Sequence, residues 1–216
     1  LSGFFFEKSV ENRTTGANPA TAAAPGDTLR YTLRLFSIDQ AFSGLTFRDD
    51  MGALNASAVF VPGSLALVSY PAGADITNTA PSGGTNSAGI LDVRGLGVPA
   101  GGVVEVKFDI TLASNLAHGT VVLNQAELQQ GPGNNVTVAV SDDPNVNGQS
   151  NPDVSGDEDR TRVLIQIPQP PLKTIVPLKS QATIGEEVIY RITVPGTPYA
   201  YALNNPVLYT DPSGNC

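Results

Sequence analysis

The stretch Phe4-Phe5-Phe6-Glu7-Lys8-Ser9-Val10 has a two-residue period of apolar side chains. Alternate residues of a β-strand share a face, so every second side chain from Phe4 to Val10 lies together. Three of these four are apolar, which predicts that the face looks into a core, and the fourth is Lys8. An ammonium group in a core is costly unless it is paired, neutralised or consumed by chemistry. The stretch therefore predicts a buried strand whose lysine needs a specific partner or reaction.

The composition favours a β-structure with a substantial core. The chain has 216 residues, of which 41% are hydrophobic and 15% charged, with 22 glycines and 17 prolines. Many turn formers and few charges are typical of short strands joined by tight turns. A net charge of −8 argues against nucleic acid or an anionic membrane as the partner, and no apolar run is long enough to cross a bilayer.

The chain termini and the cysteine count also limit the interpretation. Leu1 is not an initiator residue and no signal-peptide pattern follows it, so we expect a mature form or a part of a longer protein. The single cysteine, Cys216, excludes a disulfide framework within the chain.

Alternating patterns predict further strands along the first three quarters of the chain. They cover Gly26–Leu35, Leu45–Asp49, Ala58–Val61, Ser64–Tyr70, Gly89–Val93, Val103–Leu112, Thr120–Gln129, Val136–Val140 and Arg162–Ile167, whereas Ala17–Pro25 reads as a loop of small residues. About nine strands in roughly 165 residues, separated by turn signals, predict an all-β immunoglobulin-like β-sandwich. A closed barrel is the alternative, but the strand lengths are uneven.

A second, shorter copy of the pattern follows a proline-rich segment. We predict a sandwich over residues 1–167, a stiff linker over 168–171 and the first strands of a similar, incomplete repeat over 172–216. Lys173 in this copy corresponds to Lys8, and Asp211 corresponds to Asp49. Three strands do not close a sandwich, so the second copy is either cut in mid-domain or completed by another molecule.

Two other predicted inward faces carry a polar side chain. Asp49 falls on the apolar face of its strand, and Asn124 falls on the apolar face of residues 120–129. Burial lowers the pKa of a lysine and raises that of an aspartic acid. A neutral Lys8 amine is then able to attack the Asn124 side-chain carbonyl while the Asp49 proton polarises the amide. Ammonia leaves, and a covalent crosslink remains.

Several motifs resemble a repeat of large bacterial surface proteins, the domain-of-unknown-function eleven type. They are the lysine of the first strand, Gly26-Asp27-Thr28-Leu29-Arg30-Tyr31-Thr32-Leu33, Phe47-Arg48-Asp49-Asp50 and Asn124-Gln125-Ala126-Glu127-Leu128. Related fimbrial and collagen-adhesin A-type domains form Lys–Asn isopeptide bonds with an assisting Asp. The resemblance implies Lys8 as nucleophile, Asn124 as acceptor and Asp49 as acid. Asp50 is an alternate acid on the opposite face.

Structural explanations for the same three residues stay open. Lys8 is able to extend its ammonium to water from a sandwich end. Asp49 is able to cap a turn, and Asn124 to bond to the backbone. A buried Lys–Asp salt bridge that does not react is the intermediate case.

An acidic segment after the predicted Val136–Val140 strand is a second candidate site. Its oxygen-bearing residues suit Ca²⁺, although their spacing does not match a helix-loop-helix calcium loop; they are Asp142, Asp143, Asn145 and Asn147, continued by Asp153, Asp157, Glu158 and Asp159. A solvated acidic loop without metal is the favoured interpretation.

These features favour a structural or adhesive repeat of an extracellular surface protein or fibre. Its partners are expected to be neighbouring repeats or subunits, with a host, glycan or surface ligand as a further partner. The alternatives are an adhesin module that binds glycan or protein through residues 71–87, and a fibre subunit that polymerises by strand donation. No serine-histidine-acid set, phosphate loop or zinc pattern occurs, so the chain is predicted not to be an enzyme beyond a single self-crosslinking turnover.

Overall fold

The structure is a computed structural model that describes most of the chain. The described residues are 3–69, 73–131, 133, 135–148, 154, 156–168, 170–176 and 181–193, with the backbone of 208–210. The chain divides into two compact units, Leu1–Gln166 and Ile167–Cys216. Within the described residues, no helix has the length and apolar character needed to span a membrane.

The described part of the first unit is built from strands and two short 3₁₀ turns, at Met51–Ala53 and Thr85–Ser87. The strands are β1 (Phe4–Asn12), β2 (Ala22–Ala23), β3 (Thr28–Ser37), β4 (Phe42–Asp50), β5 (Ala58–Phe60), β6 (Ala66–Ser69), β7 (Ile90–Val98), β8 (Val103–Leu112), β9 (Val121–Asn124), β10 (Glu127–Gln130), β11 (Val136–Val140) and β12 (Thr161–Ile165).

Two antiparallel sheets enclose the core of this unit. One has the order β1-β3-β8-β5, with β6 also paired to β8, and the other has the order β11-β10-β4-β7. Strands β1, β3 and β8 alternate buried and part-exposed residues along most of their length, as expected for a sheet with one wet face. Aromatic side chains join the two sheets: the rings of Phe6 and Phe47 lie 5.1 Å apart between centroids. The predicted all-β immunoglobulin-like sandwich is confirmed.

A third, small sheet has the order β2-β12-β9 and departs from the sequence prediction twice. The predicted loop Ala17–Pro25 contains β2, which pairs in parallel with β12. The predicted single strand Thr120–Gln129 is two strands, because β9 pairs with β12 whereas β10 pairs with β4 and β11. Alternation alone did not reveal this change of sheet, since the two-residue period continues through the break.

The second unit contains one described sheet, of order β13-β14-β15. Its strands are β13 (Leu172–Ile175), β14 (Ile189–Thr193) and β15 (Leu208–Thr210). Lys173 is opposite Ile192, and Ile175 is opposite Tyr190. The first unit has the same register, with Lys8 opposite Leu33 and Val10 opposite Tyr31.

Candidate functional site

Lys8 lies on the inner face of β1, and its side chain is fully enclosed. The residue is 0% exposed, so the interpretation in which its ammonium reaches water does not apply. Its Nζ lies over two aromatic rings, 4.6 Å from the centroid of Tyr31 and 5.9 Å from that of Phe108. On the backbone, the Lys8 N–H donates to the Asp142 carbonyl at 2.7 Å, which fixes the outer edge of β1.

Asp49 connects the other two predicted residues. Its Oδ2 accepts a short hydrogen bond from Lys8 Nζ and a second bond, at 3.3 Å, from Asn124 Nδ2. Asp49 and Asn124 are 2% and 4% exposed. The structure therefore brings the amine, the acid and the amide together at one carboxylate oxygen in the interior.

The alternate acid, Asp50, has a different task. Its carboxylate accepts hydrogen bonds from the backbone N–H of Gly52 at 3.0 Å and of Thr85 at 2.9 Å. Asp50 thus caps a 3₁₀ turn and anchors the end of the 71–87 loop. The capping role considered for Asp49 belongs to its neighbour.

Burial changes the proton affinities of the central pair. It lowers the pKa of Lys8 to about 8, against the opposing effect of the Asp49 carboxylate. It also raises the pKa of Asp49, against the opposing effects of Lys8 and Asn124. Both shifts favour a neutral amine beside a neutral acid, which is the protonation state that nucleophilic attack requires.

Asn124 is held at the end of β9 by the small sheet. It is opposite Thr161 in the register of β9 and β12, and the Thr161 hydroxyl donates to the Asn124 backbone carbonyl at 2.9 Å. Beyond Asn124, the chain enters β10 in the other sheet. The Ser141 hydroxyl accepts from the Ala126 N–H at 2.9 Å and stabilises this change of sheet.

Tyr31 is a residue of the site that the sequence analysis did not single out. It is 0% exposed, and its hydroxyl has no hydrogen-bond partner among the described residues. Burial raises its pKa, while the side chains of Asn124 and Thr161 lie near enough to act in the opposite direction. Its inward position on β3 was predictable, but alternation does not distinguish a packing tyrosine from one beside a reactive group.

A surface pocket of about 220 Å³ adjoins the buried cluster. Asn124 lines it together with Arg48 and Arg160. Arg48 is paired at the pocket with Asp50 at 3.6 Å and Glu127 at 3.7 Å. Asn124 is thus the member of the cluster that reaches this pocket, while Lys8 stays enclosed.

The candidate calcium residues are used mainly by the fold. Asp142 and Asp143 are buried, which corrects the interpretation of this segment as a solvated loop. Asp142 Oδ1 accepts from the Asp159 N–H at 2.8 Å, and Asp143 Oδ1 accepts from the Asn145 N–H at 3.0 Å.

The other described residues of this acidic segment do not form a cluster of metal ligands. Asn147 is exposed, Asp157 and Glu158 are half-buried, and Asp153 lies outside the described residues. Across the described parts of the chain, no three His, Cys, Asp or Glu residues are grouped as metal ligands. The Ca²⁺ site stays a prediction.

The corresponding residues of the second unit are only partly described. Lys173 is exposed, with its Nζ 3.9 Å from the centroid of the Tyr190 ring, whereas Asp211 lies outside the described residues. A second crosslink stays a prediction.

Comparison with known proteins identifies similar structures but no family. No protein-family model and no curated protein matches the chain. Similar solved structures include a Corynebacterium diphtheriae protein described as membrane anchored, with 10% identity, a TM-score of 0.46 and coverage of 76% of this chain and 36% of that one. A variant of BcpA, the major pilin subunit of Bacillus cereus, has 11% identity, a TM-score of 0.44 and coverage of 98% and 67%.

A third similar structure is the C-terminal fragment of a major pilin of Streptococcus agalactiae, with 9% identity, a TM-score of 0.40 and coverage of 96% of this chain and 90% of that one. The chain thus spans little more than a third of the Corynebacterium protein. The fold and the site define an immunoglobulin-like sandwich with a buried lysine, aspartic acid and asparagine cluster, and its function is argued from those side chains.

Proposed function

We propose that the first unit forms an intramolecular isopeptide bond between Lys8 Nζ and Asn124 Cγ. The observation that carries the proposal is the shared hydrogen-bond acceptor: Lys8 Nζ and Asn124 Nδ2 both bond to Asp49 Oδ2. All three residues are at most 4% exposed, so water does not compete for the amine or the acid. A structural ion pair needs the first two residues but has no need of the buried amide.

The reaction begins with a neutral amine. Transfer of a proton from Lys8 to Asp49 leaves a nucleophilic amine and a carboxylic acid, and the pKa shifts of both groups favour this transfer. The amine nitrogen attacks Cγ of Asn124, and a tetrahedral intermediate forms with negative charge on Oδ1 and positive charge on Nζ.

Asp49 then moves the protons between the two nitrogens. The acid gives its proton to Asn124 Nδ2, the C–N bond breaks, and ammonia leaves. The carboxylate takes a proton from Nζ, and the new amide and the original acid remain. Because Asp49 Oδ2 touches both nitrogens, one carboxyl group is sufficient for both transfers. Asn124 also lines the surface pocket, and we expect ammonia to leave the interior past it.

The crosslink gives a mechanical role to the sandwich. It ties β1, at the start of the unit, to β9, which lies about three quarters of the way along it, and the two strands belong to different sheets. A covalent tie between them prevents the segment between Lys8 and Asn124 from extending when the unit is pulled.

The setting we propose is a structural or adhesive repeat of an extracellular bacterial surface protein or fibre. Neighbouring repeats or subunits are its partners. The fold type, the acidic charge and the stabilising crosslink without disulfides support this setting. The proposed glycan or protein ligand of residues 71–87 and polymerisation by strand donation stay predictions.

Single-molecule stretching of the full chain tests the mechanical role. When the first unit unfolds, the gain in extended length is expected to exclude the segment between Lys8 and Asn124. In an Asn124→Ala variant the gain is expected to include that segment. Lys8→Met is expected to recover the same length. Lys107→Met is its matched control, because Lys107 pairs with Glu105 on the part-exposed face of β8 and has no part in the bond. Equal unfolding lengths for the wild type and Asn124→Ala would refute the mechanical role.

A further inference from the structure

We infer that the Tyr31 hydroxyl donates a hydrogen bond to Oδ1 of Asn124 as the Lys8 amine adds to the neighbouring carbon. The inference rests on the proposed crosslink and adds a residue to it. Tyr31 would stabilise the negative charge that collects on Oδ1 in the tetrahedral intermediate, as a donor in an oxyanion hole does.

The contacts of Asp49 create the need for such a donor. Asp49 Oδ2 bonds to the amide nitrogen of Asn124, and not to its oxygen. Asp49 is thus placed to protonate the leaving group, whereas Oδ1 requires a donor from another element. Amide carbonyls are poor electrophiles, so stabilisation of the oxyanion is a large part of any acyl transfer.

Tyr31 lies on the inner face of β3, beside the attacking amine. Tyr31 is opposite Val10 in the pairing of β1 with β3, and Val10 is the next inward-facing residue of β1 after Lys8. The Lys8 Nζ is 4.6 Å from the centroid of the Tyr31 ring. The ring of Phe108 stacks on the Tyr31 ring, with 5.6 Å between their centroids. Packing between the two rings holds Tyr31 beside the attacking nitrogen, and its hydroxyl is a polar group that this packing leaves without a partner among the described residues.

The hydroxyl is also chemically available. It is buried without a hydrogen-bond partner among the described residues, which carries a cost in free energy that a phenylalanine would avoid. Burial is the main cause that raises the Tyr31 pKa, and the side chains of Asn124 and Thr161 are close enough to lower it. Thr161 already donates its own proton to the Asn124 backbone carbonyl, so it holds Asn124 in place and leaves the side-chain oxygen to Tyr31.

A refolding experiment with Tyr31→Phe tests the inference. The full chain is isolated in the unfolded state and refolded by dilution. Samples are quenched with acid at successive times, and intact-mass spectrometry measures the fraction that has lost one ammonia. Circular dichroism follows folding in parallel. Tyr31→Phe keeps the ring, and loss of an unpartnered hydroxyl leaves folding intact. We expect the rate of ammonia loss from the folded chain to fall on the order of a hundredfold.

Thr46→Val is the matched control. Thr46 is 0% exposed, its hydroxyl is likewise buried without a partner among the described residues, and it lies opposite Gln129 in the pairing of β4 with β10. Its rate is expected to equal that of the wild type. A wild-type rate in Tyr31→Phe, or equal slowing in Thr46→Val, would overturn the role of Tyr31 and leave the crosslink standing. A wild-type chain that never loses ammonia would overturn both.

Discussion

At the scale of single residues, the reactivity of the site depends on keeping water away from an amine and an acid. A buried ion pair often stabilises a fold less than apolar residues of the same size, because the charges lose their hydration. Reaction removes this cost, since the product has an amide in place of the lysine charge. The aromatic rings around Lys8 therefore matter because they help to enclose it, and this burial lowers its pKa.

The lowered pKa of Lys8 predicts a pH dependence for a chain that lacks the bond. In Asn124→Ala, Lys8 stays an amine whose pKa is about 8 when folded and 10.5 when unfolded. Between these values the unfolded chain binds more protons, so the free energy of unfolding rises with pH across this window and the gain is lost as pH falls through about 8.

Urea titrations at stepped pH measure this effect. The lysine of the crosslinked wild type is an amide and does not titrate, so the difference in stability between wild type and Asn124→Ala is expected to narrow between about pH 8 and 10.5. Groups outside the cluster have the same surroundings in both proteins and cancel in the comparison. A difference that stays constant over the window would show that Lys8 has no lowered pKa in the folded variant.

At the scale of elements, the change of sheet between β9 and β10 decides where Asn124 lies. β9 belongs to the small sheet and β10 to the sheet that contains Asp49. Asn124 is the last residue of β9, and at this position its side chain bonds to Asp49 of the neighbouring sheet. Ser141 holds this junction, because its hydroxyl accepts from the Ala126 N–H and its own N–H donates to the Ala126 carbonyl.

Substitution of Ser141 by alanine is expected to affect both stability and crosslinking. It leaves the Ala126 N–H buried without its acceptor, which costs about 1–3 kcal/mol of stability. It also loosens the position of Asn124, so ammonia loss during refolding should be slower. Ser64→Ala is the matched control: the Ser64 hydroxyl accepts from the Asp109 N–H at 2.9 Å, away from the cluster, and should lower stability without changing the rate. Identical rates of ammonia loss in the two variants would show that Ser141 has no effect on the reaction.

The inward placement of Lys8, Asp49 and Asn124 was predictable, because a two-residue period assigns each side chain to a face of its strand. The meeting of the three was not predictable from alternation alone, since it depends on which strands pair and where β9 ends. The role of Tyr31 also lay beyond the sequence, because a hydroxyl without a partner is visible only once its neighbours are placed. The predicted solvated loop at Asp142 and Asp143 was wrong because their backbones pair with β1 and the Asp159 segment, which encloses their carboxylates.

At the scale of the whole molecule, the bond would close a loop that contains most of the first unit. Such a closure restricts the unfolded chain, and a loop of about one hundred residues stabilises the fold by about 4–5 kcal/mol in the chain-entropy model. Asn124→Ala is expected to lose a free energy of unfolding of that order in denaturant titrations.

Asn55→Ala is the matched control for this loss. The Asn55 side chain accepts from the Leu123 N–H at 2.8 Å on the same strand as Asn124, but it has no part in the bond. Its Nδ2 also donates to the Val121 carbonyl, so two hydrogen bonds are lost and the expected effect is about 2 kcal/mol, roughly 1 kcal/mol for each. Titration curves for Asn124→Ala and Asn55→Ala that superimpose would argue against a covalent closure.

The mass of the intact, denatured wild-type chain tests the central claim most directly. The account predicts a mass lower than that of the sequence by one ammonia, with Lys8 and Asn124 recovered in one linked peptide after digestion, and the full sequence mass for Lys8→Met and for Asp49→Asn. A wild-type chain of full mass whose Lys8 accepts an acetyl group after denaturation would contradict the account.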